Sequence, residues 1–136
     1  MNVYLDIDGV LLNKNLSPAN HVHQFLEAVT QDNEVYWLTT HCKGDATLAY
    51  ELLKAILEPE TIQLLKNIKA TNWNTAKTEG IDFSQPFLWF DDNLFYGEKL
   101  ALSDKGVLDN WIKVDLQNKP DQLAEFAASF PLPVTQ

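Results

Sequence analysis

Two aspartates lie directly after the first apolar run of the chain, in the segment Asp6-Ile7-Asp8-Gly9-Val10. The preceding Val3-Tyr4-Leu5 is typical of a short buried strand, and side chains two residues apart point to the same side of an extended backbone. At the carboxyl end of a strand in an open α/β sheet, they face the crevice where ligands bind. Neighbouring carboxylates repel each other unless a cation or a shared proton relieves the repulsion. The pair therefore indicates catalysis or metal binding, with an Asx turn that merely closes the strand as the alternative.

Polar side chains also follow two other apolar segments. Thr39-Thr40 comes directly after residues 34–38, and Asp91-Asp92 comes after residues 86–90, with Lys77 between them in sequence. Taken singly, these residues would be interpreted as loop caps, a helix cap and a solvated lysine. Together they suit phosphoryl transfer to an aspartate, in which one carboxylate attacks phosphorus and a second donates a proton to the leaving oxygen and later activates water. Mg²⁺ on oxygen ligands would offset the negative charge.

The rest of the sequence alternates segments typical of strands and helices, which predicts a mostly parallel sheet with helices on both faces. Strands are predicted at residues 3–5, 34–38, 68–71, 86–90 and 111–114, the third of them weak. Helices are predicted from Ser17-Pro18, from Asp45, from Pro59, and over residues 77–81, 97–104 and 121–130. We therefore expect one α/β domain over residues 1–136, with a three-layer, Rossmann-like fold, a five-stranded sheet and a frayed tail from Pro131.

Composition excludes several classes of partner. The net charge is −9, and all ten basic residues are lysines, whereas nucleic-acid binders usually carry a basic patch rich in arginine. No apolar run is long enough to span a membrane, and the aspartates interrupt the only apolar stretch near the N-terminus that could resemble a secretory signal. The single cysteine, Cys42, fits a reducing compartment. We expect a cytoplasmic protein that binds neither nucleic acid nor membranes.

In combination, four segments resemble the motifs of the haloacid dehalogenase (HAD) superfamily of phosphohydrolases, in that family's order. Asp6-Ile7-Asp8-Gly9-Val10 resembles its first motif, D-x-D-G-[TV]. Val35-Tyr36-Trp37-Leu38-Thr39 resembles the second, an apolar strand ending in Thr or Ser. Lys77-Thr78-Glu79-Gly80-Ile81 resembles the third, and Leu88-Trp89-Phe90-Asp91-Asp92-Asn93 the acidic fourth. The match covers nearly the whole chain, and the combination is far more specific than any single motif.

The resemblance implies a role for each of these residues. Asp6 would be the nucleophile that forms an aspartyl-phosphate, and Asp8 would be the general acid and then the general base. The implied substrate-binding residues are Gly9, Thr39, Thr40 and Lys77, and the implied Mg²⁺ site is formed by Asp6, the backbone carbonyl of Asp8, Asp91 and Asp92. Within these sets, the position in the motif favours Asp92 over Asp91 as the direct metal ligand, and Thr39 and Thr40 stay open as the phosphate-binding hydroxyl.

Members of that family often carry a cap domain after the first motif or after the third strand. Here about thirty residues separate Asp8 from Thr39, and two predicted helices and a strand fill the stretch from Thr40 to Lys77, which leaves no room for a separate cap. The resemblance therefore implies a small, capless Mg²⁺-dependent phosphomonoester hydrolase. Its substrate would be a phosphorylated small molecule or a phosphoprotein, and the chain would be a monomer or a homodimer that covers the open site. The alternatives are a catalytically silent domain that binds a phosphorylated ligand or a partner protein, and phosphotransfer to an acceptor other than water. His41 could touch substrate or serve as an auxiliary acid, and a solvated loop position is the alternative.

Overall fold

A computed structural model describes residues 1–130, 132 and 134, and the predicted frayed tail lies largely outside these residues. Its strands are β1 (Asn2–Leu5), β2 (Glu34–Trp37), β3 (Phe87–Asp91) and β4 (Trp111–Lys113). Its α-helices are α1 (Val22–Thr30), α2 (Ala46–Lys54), α3 (Pro59–Leu64), α4 (Tyr96–Asp104) and α5 (Gln122–Ser129). Two short 3₁₀ turns cover Lys77–Gly80 and Leu108–Asn110. No helix in this part of the chain is both long and apolar enough to cross a bilayer.

The four strands form one parallel sheet in the order β2-β1-β3-β4. The parallel α/β architecture is thereby confirmed. Strand β1 lies between β2 and β3, so that Leu5 pairs with Trp37 on one side and with Phe90 on the other. The predicted functional segments that follow these three strands consequently leave the sheet at the same edge.

The prediction of five strands was wrong. Residues 68–71 contribute only an isolated bridge between Lys69 and Tyr36, at the outer edge of β2. The backbone N–H of Lys69 donates to the carbonyl of Val35, and the carbonyl of Lys69 accepts from the N–H of Trp37. These two bonds are not continued into a longer ladder. The side chain of Thr71 instead donates to the Trp37 carbonyl at 2.6 Å. The Thr71 hydroxyl therefore occupies the Trp37 carbonyl, which a backbone N–H would occupy if residues 68–71 formed a strand.

The sheet is covered on both faces, because successive strand residues point to opposite sides. Val3, Leu5 and Phe90 belong to a core that also includes buried residues of α1, α2, α3 and α5. Tyr4 and Trp89 belong to a second core, with Leu102 of α4. Trp37 and Trp89 are almost completely buried, as expected. Each large side chain of this kind contributes about 1.5–3 kcal/mol through the hydrophobic effect, which fixes the strand ends that carry the polar groups.

The first helix begins later than predicted, at Val22 instead of Ser17-Pro18. The Asn15 side chain accepts from the backbone and hydroxyl of Ser17, and the Asn13 side chain donates to the carbonyl of Pro18. These asparagine contacts hold residues 13–18 as a loop, which is a common alternative to helix for Asn and Ser. The later helix starts agree better with prediction: Asp45 caps α2 by accepting from the Thr47 N–H at 2.9 Å.

Candidate active site

Asp6 and Asp91 come together because they end the two central strands. The backbone N–H of Asp6 donates to the carbonyl of Phe90 at 3.1 Å, which continues the β1–β3 pairing by one residue. Both aspartates are buried, with 6% and 1% of their surface exposed. The Asp6 carboxylate is held on one side by its neighbour, since the N–H of Ile7 donates to Oδ1 at 2.8 Å. Two acidic groups therefore share a poorly solvated position at the carboxyl edge of the sheet.

Lys77 supplies the positive charge at this position. Its Nζ lies 2.7 Å from Oδ2 of Asp91 and 3.4 Å from Oδ2 of Asp6. Burial acts to lower the pKa of Lys77, but the charges of Asp6 and Asp91 together outweigh it and raise the pKa. The lysine is therefore a permanent cation that bridges the two carboxylates.

Two glutamates position Lys77, and neither was singled out from the sequence. Glu98 is almost fully buried in α4 and accepts from the backbone N–H of Lys77 at 3.0 Å and from that of Phe95 at 3.1 Å. Glu79 accepts from three successive N–H groups, those of residues 74–76, at 2.9 to 3.3 Å. An acidic residue three positions into a helical turn is a capping signal, and this signal is present in both segments. It could have located the two glutamates, but not the contact between Glu98 and Lys77.

The pKa of Asp91 is strongly perturbed. Burial and the neighbouring charge of Asp6 raise it from 3.8 to about 8, although Lys77 opposes the rise. The rise follows from the charge balance, since the single positive charge of Lys77 cannot neutralise two buried carboxylates. The excess negative charge of Asp6 and Asp91 therefore favours the binding of an additional cation in the site.

Three carboxylates are arranged so that they could hold that cation. Asp6, Asp91 and the exposed Asp92 each present a ligand oxygen, and these oxygens all lie within 4.8 Å of one another. Carboxylate oxygens are the ligands that Mg²⁺ uses in proteins, usually from one or two residues with water completing the shell. The donor set thus fits Mg²⁺. Both Asp91 and Asp92 belong to the cluster, and Asp91 is also bonded to Lys77.

Gly9 allows the backbone after β1 to pass directly beneath Asp92. Its φ is +80°, and a Cβ at this position would overlap the Asp92 carboxylate and lie 2.8 Å from its Cβ. Only glycine accommodates both the left-handed backbone and this close approach at little cost. The absence of a side chain at Gly9 therefore leaves the space that the Asp92 carboxylate occupies in the cluster.

Asp8 and the two threonines have different surroundings. Oδ2 of Asp8 lies 2.7 Å from Nε2 of His41, outside the group of three clustered carboxylates. Thr39 is fully buried, and its hydroxyl accepts from the backbone N–H of His41 at 3.3 Å. Thr40 is exposed and lines the same cavity as Asp6 and Asp8. Of the two threonines, Thr40 is therefore the one that lines the cavity.

The four aspartates, Thr40 and Lys77 all line one cavity of about 220 Å³, which we call the site cavity. It is lined by Asp6, Asp8, Thr40, Trp73, Thr75, Lys77, Asp91, Asp92, Asn93, Phe95 and Glu98. A larger cavity of about 580 Å³ is also lined by Asp92 and includes Gly9, and its other walls come from residues 13–15 and 113–117. The smaller cavity is the candidate site, because Asp6, Asp91 and Lys77 all line it and none of them lines the larger one.

Three other residues near the site differ in how far they are exposed to the cavity or to solvent. Cys42 is buried, and burial raises the pKa of its thiol, so it does not have the character of a reactive cysteine. Trp73 is largely buried but lines the site cavity, and the Lys43 ammonium lies 4.0 Å from the centre of its ring. Phe95 lines the same cavity although 66% of its surface is exposed.

We found no family model, curated protein or solved structure that matches the chain. Membership of the HAD superfamily therefore stays a prediction that depends on the four motifs, and the function must be inferred from the chemistry of the site cavity.

We expect Gly9→Ala to weaken divalent-cation binding by about tenfold or more, because the new methyl group displaces Asp92. Gly106→Ala is the matched control, since Gly106 also has a positive φ of +69° but has open space where a Cβ would lie. Both variants should lose roughly 1 kcal/mol of stability through backbone strain. Mg²⁺ titrations by calorimetry should separate them, and equal Mg²⁺ affinity in the two variants would contradict the role assigned to Gly9.

We expect Asp91→Asn to gain stability relative to the wild type as the pH rises from 5 to 8 in the presence of chelator. The pKa of Asp91 is higher in the folded protein than in the unfolded chain, so folding retains a proton that the unfolded state releases. The wild type should lose up to about 1 kcal/mol per pH unit across this window, whereas the amide has no proton to lose.

Thermal melts of both proteins at unit pH intervals measure this difference. Asp92→Asn is the control because that carboxylate is exposed. A difference between Asp91→Asn and the wild type that does not change between pH 5 and 8 would show that Asp91 is not held at a raised pKa.

Proposed function

We propose that this chain is a Mg²⁺-dependent phosphomonoester hydrolase that acts through an aspartyl-phosphate on Asp6. The observation that carries the proposal is the convergence of three carboxylates and one lysine at the carboxyl edge of the sheet, in a cavity that Asp8 also lines. This set supplies a nucleophile, a proton donor and charge neutralisation within one small volume. The order of the motifs along the chain supports assignment to the HAD superfamily as part of the same proposal.

Asp6 is suited to the role of nucleophile because its carboxylate is buried and oriented. The Ile7 N–H holds Oδ1, and Lys77 lies near Oδ2. In the first step, a carboxylate oxygen of Asp6 forms a bond to phosphorus as the bond between phosphorus and the ester oxygen breaks. The electron pair of the broken bond stays on the leaving oxygen, which takes a proton from the carboxyl group of Asp8.

In the second step, the Asp8 carboxylate accepts a proton from a water molecule that attacks phosphorus, and inorganic phosphate and the Asp6 carboxylate are released. Asp8 is suited to both steps because its side chain is 53% exposed at the cavity and is not part of the carboxylate cluster. Lys77 and the hydroxyl of Thr40 would hold the phosphoryl oxygens. A Mg²⁺ ion held by Asp6, Asp91 and Asp92 would neutralise negative charge on the phosphoryl group.

The cavity also bears on the class of substrate. Its volume of about 220 Å³ is below the range of roughly 300–1,000 Å³ that is usual for sites enclosing a whole ligand. We therefore infer that it holds the phosphoryl group and the first atoms of the leaving group, and that the rest of a phosphorylated small molecule or phosphoprotein lies outside. Phe95 would contact that part of the leaving group, which makes an aryl phosphate a suitable first probe.

The test is phosphate release from an aryl phosphate by the wild type and by Asp6→Asn, each with Mg²⁺ and with chelator. We expect Mg²⁺-dependent release that falls by roughly three orders of magnitude or more in Asp6→Asn. Asp32→Asn is the control, because Asp32 precedes β2 at the opposite edge of the sheet and asparagine tolerates its positive φ of 62°. Equal activity in Asp6→Asn and the wild type would contradict the mechanism.

The same experiment separates the proposal from its alternatives. A domain that only binds a phosphorylated ligand would release no phosphate from any ester while still binding Mg²⁺. An enzyme that transfers the phosphoryl group to another acceptor would release phosphate slowly. An added alcohol would then accelerate release of the phenol without a matching rise in inorganic phosphate. Thermal melts of each variant show whether a loss of activity reflects a loss of folding.

A further inference from the structure

His41 makes the shortest contact to the side chain that the proposed mechanism uses as proton donor. Its Nε2 lies 2.7 Å from Oδ2 of Asp8, which is the distance of a strong charge-assisted hydrogen bond. Both side chains are partly exposed, with 36% and 53% of their surface accessible. An exposed aspartate at the end of a strand can adopt several rotamers, and a bond of this kind selects one of them.

The turn that carries His41 is fixed at both ends. Thr39 and Cys42 are fully buried, and the backbone N–H of Cys42 donates to the Thr39 carbonyl at 3.1 Å. The His41 N–H donates to the Thr39 hydroxyl, and the N–H of Gly44 donates to the carbonyl of Thr71 at 2.7 Å. The buried side chains anchor the turn in the core, so the imidazole is presented to Asp8 by a rigid support.

The other two histidines, His21 and His23, do not contact the proposed catalytic residues. His21 contacts Asp121, and His23 contacts Thr61, and neither lines the site cavity. In the part of the chain that the structure describes, His41 is therefore the histidine whose partner belongs to the proposed catalytic set.

We propose that His41 is a positioning residue that holds the carboxyl group of Asp8 in line with the leaving-group oxygen. This inference rests on the proposed hydrolase function and deepens it. His41 acts through Asp8, and its Nε2–H donates to the oxygen that does not deliver the proton. A leaving group that departs without protonation gains nothing from this arrangement, whereas a strongly basic leaving group depends on it.

The experiment compares two phosphate esters, p-nitrophenyl phosphate with a weakly basic leaving group and phenyl phosphate with a more basic one. The value of kcat/KM reports the steps up to the departure of the leaving group, whichever later step limits kcat. We expect His41→Ala to lower kcat/KM for phenyl phosphate by about tenfold more than for p-nitrophenyl phosphate. His41→Gln, which retains an N–H donor, should recover part of the difference.

Two further variants sharpen the test. In an Asp8→Asn background, His41→Ala should not change the ratio of the two kcat/KM values, because the group that it positions is already absent. His23→Ala is the matched control for loss of a partly exposed histidine, and should leave the ratio at its wild-type value.

An equal loss of kcat/KM for both esters in His41→Ala would overturn the inference and indicate a structural or substrate-binding role. An unchanged kcat/KM would also overturn it. The wild-type rate is the separate test of the proposed function. If the wild type is active but His41→Ala does not change the ratio of the two kcat/KM values, only the role of His41 is contradicted. If the wild type hydrolyses neither ester, both proposals are contradicted.

Discussion

The balance of charge between two buried carboxylates and one lysine is the constraint on which the rest of the site depends. Asp6 and Asp91 must lie close together because they end adjacent central strands, and burial makes their repulsion costly. Lys77 relieves part of this cost, but burial and the charge of Asp6 still raise the pKa of Asp91. This arrangement costs stability, and the proposed binding of a cation and a phosphoryl group would account for it.

The elements around the site serve this charge cluster. The short 3₁₀ turn at Lys77–Gly80 brings the lysine to the sheet edge. Glu98, in the first turn of α4, accepts a hydrogen bond from the backbone N–H of Lys77. Gly9 brings the chain after β1 against Asp92. The second motif ends in a turn whose buried residues direct His41 toward Asp8. Each of these contacts joins segments that are distant in sequence, and together they bring the carboxylates, Lys77 and the proposed proton donor Asp8 to one cavity.

The sequence was sufficient for the parallel α/β architecture, because the apolar strands and the polar residues at their ends form local patterns. It was insufficient where side chains compete with the backbone for hydrogen bonds. The Thr71 hydroxyl takes a position on β2 that a fifth strand would occupy, and two asparagines hold a loop where α1 was predicted to start. The candidate site residues could be named from their spacing, but the contacts of Glu98 and His41 could not, since they depend on tertiary packing. Which of the two threonines lines the site cavity also depends on tertiary packing, since Thr39 is buried and Thr40 is exposed.

The most direct test of the account is to trap the phosphorylated protein. In Asp8→Asn, acetyl phosphate should still phosphorylate Asp6 because its leaving group needs no proton, but hydrolysis should be slow because the general base is absent. Asp6 is then the only carboxylate side chain in the tryptic peptide of residues 1–14. We predict one phosphoryl group on this peptide by mass spectrometry, dependent on Mg²⁺ and removed by hydroxylamine. A phosphoryl group on the peptide that carries His41, or phosphate release without any phosphorylated protein, would contradict the account.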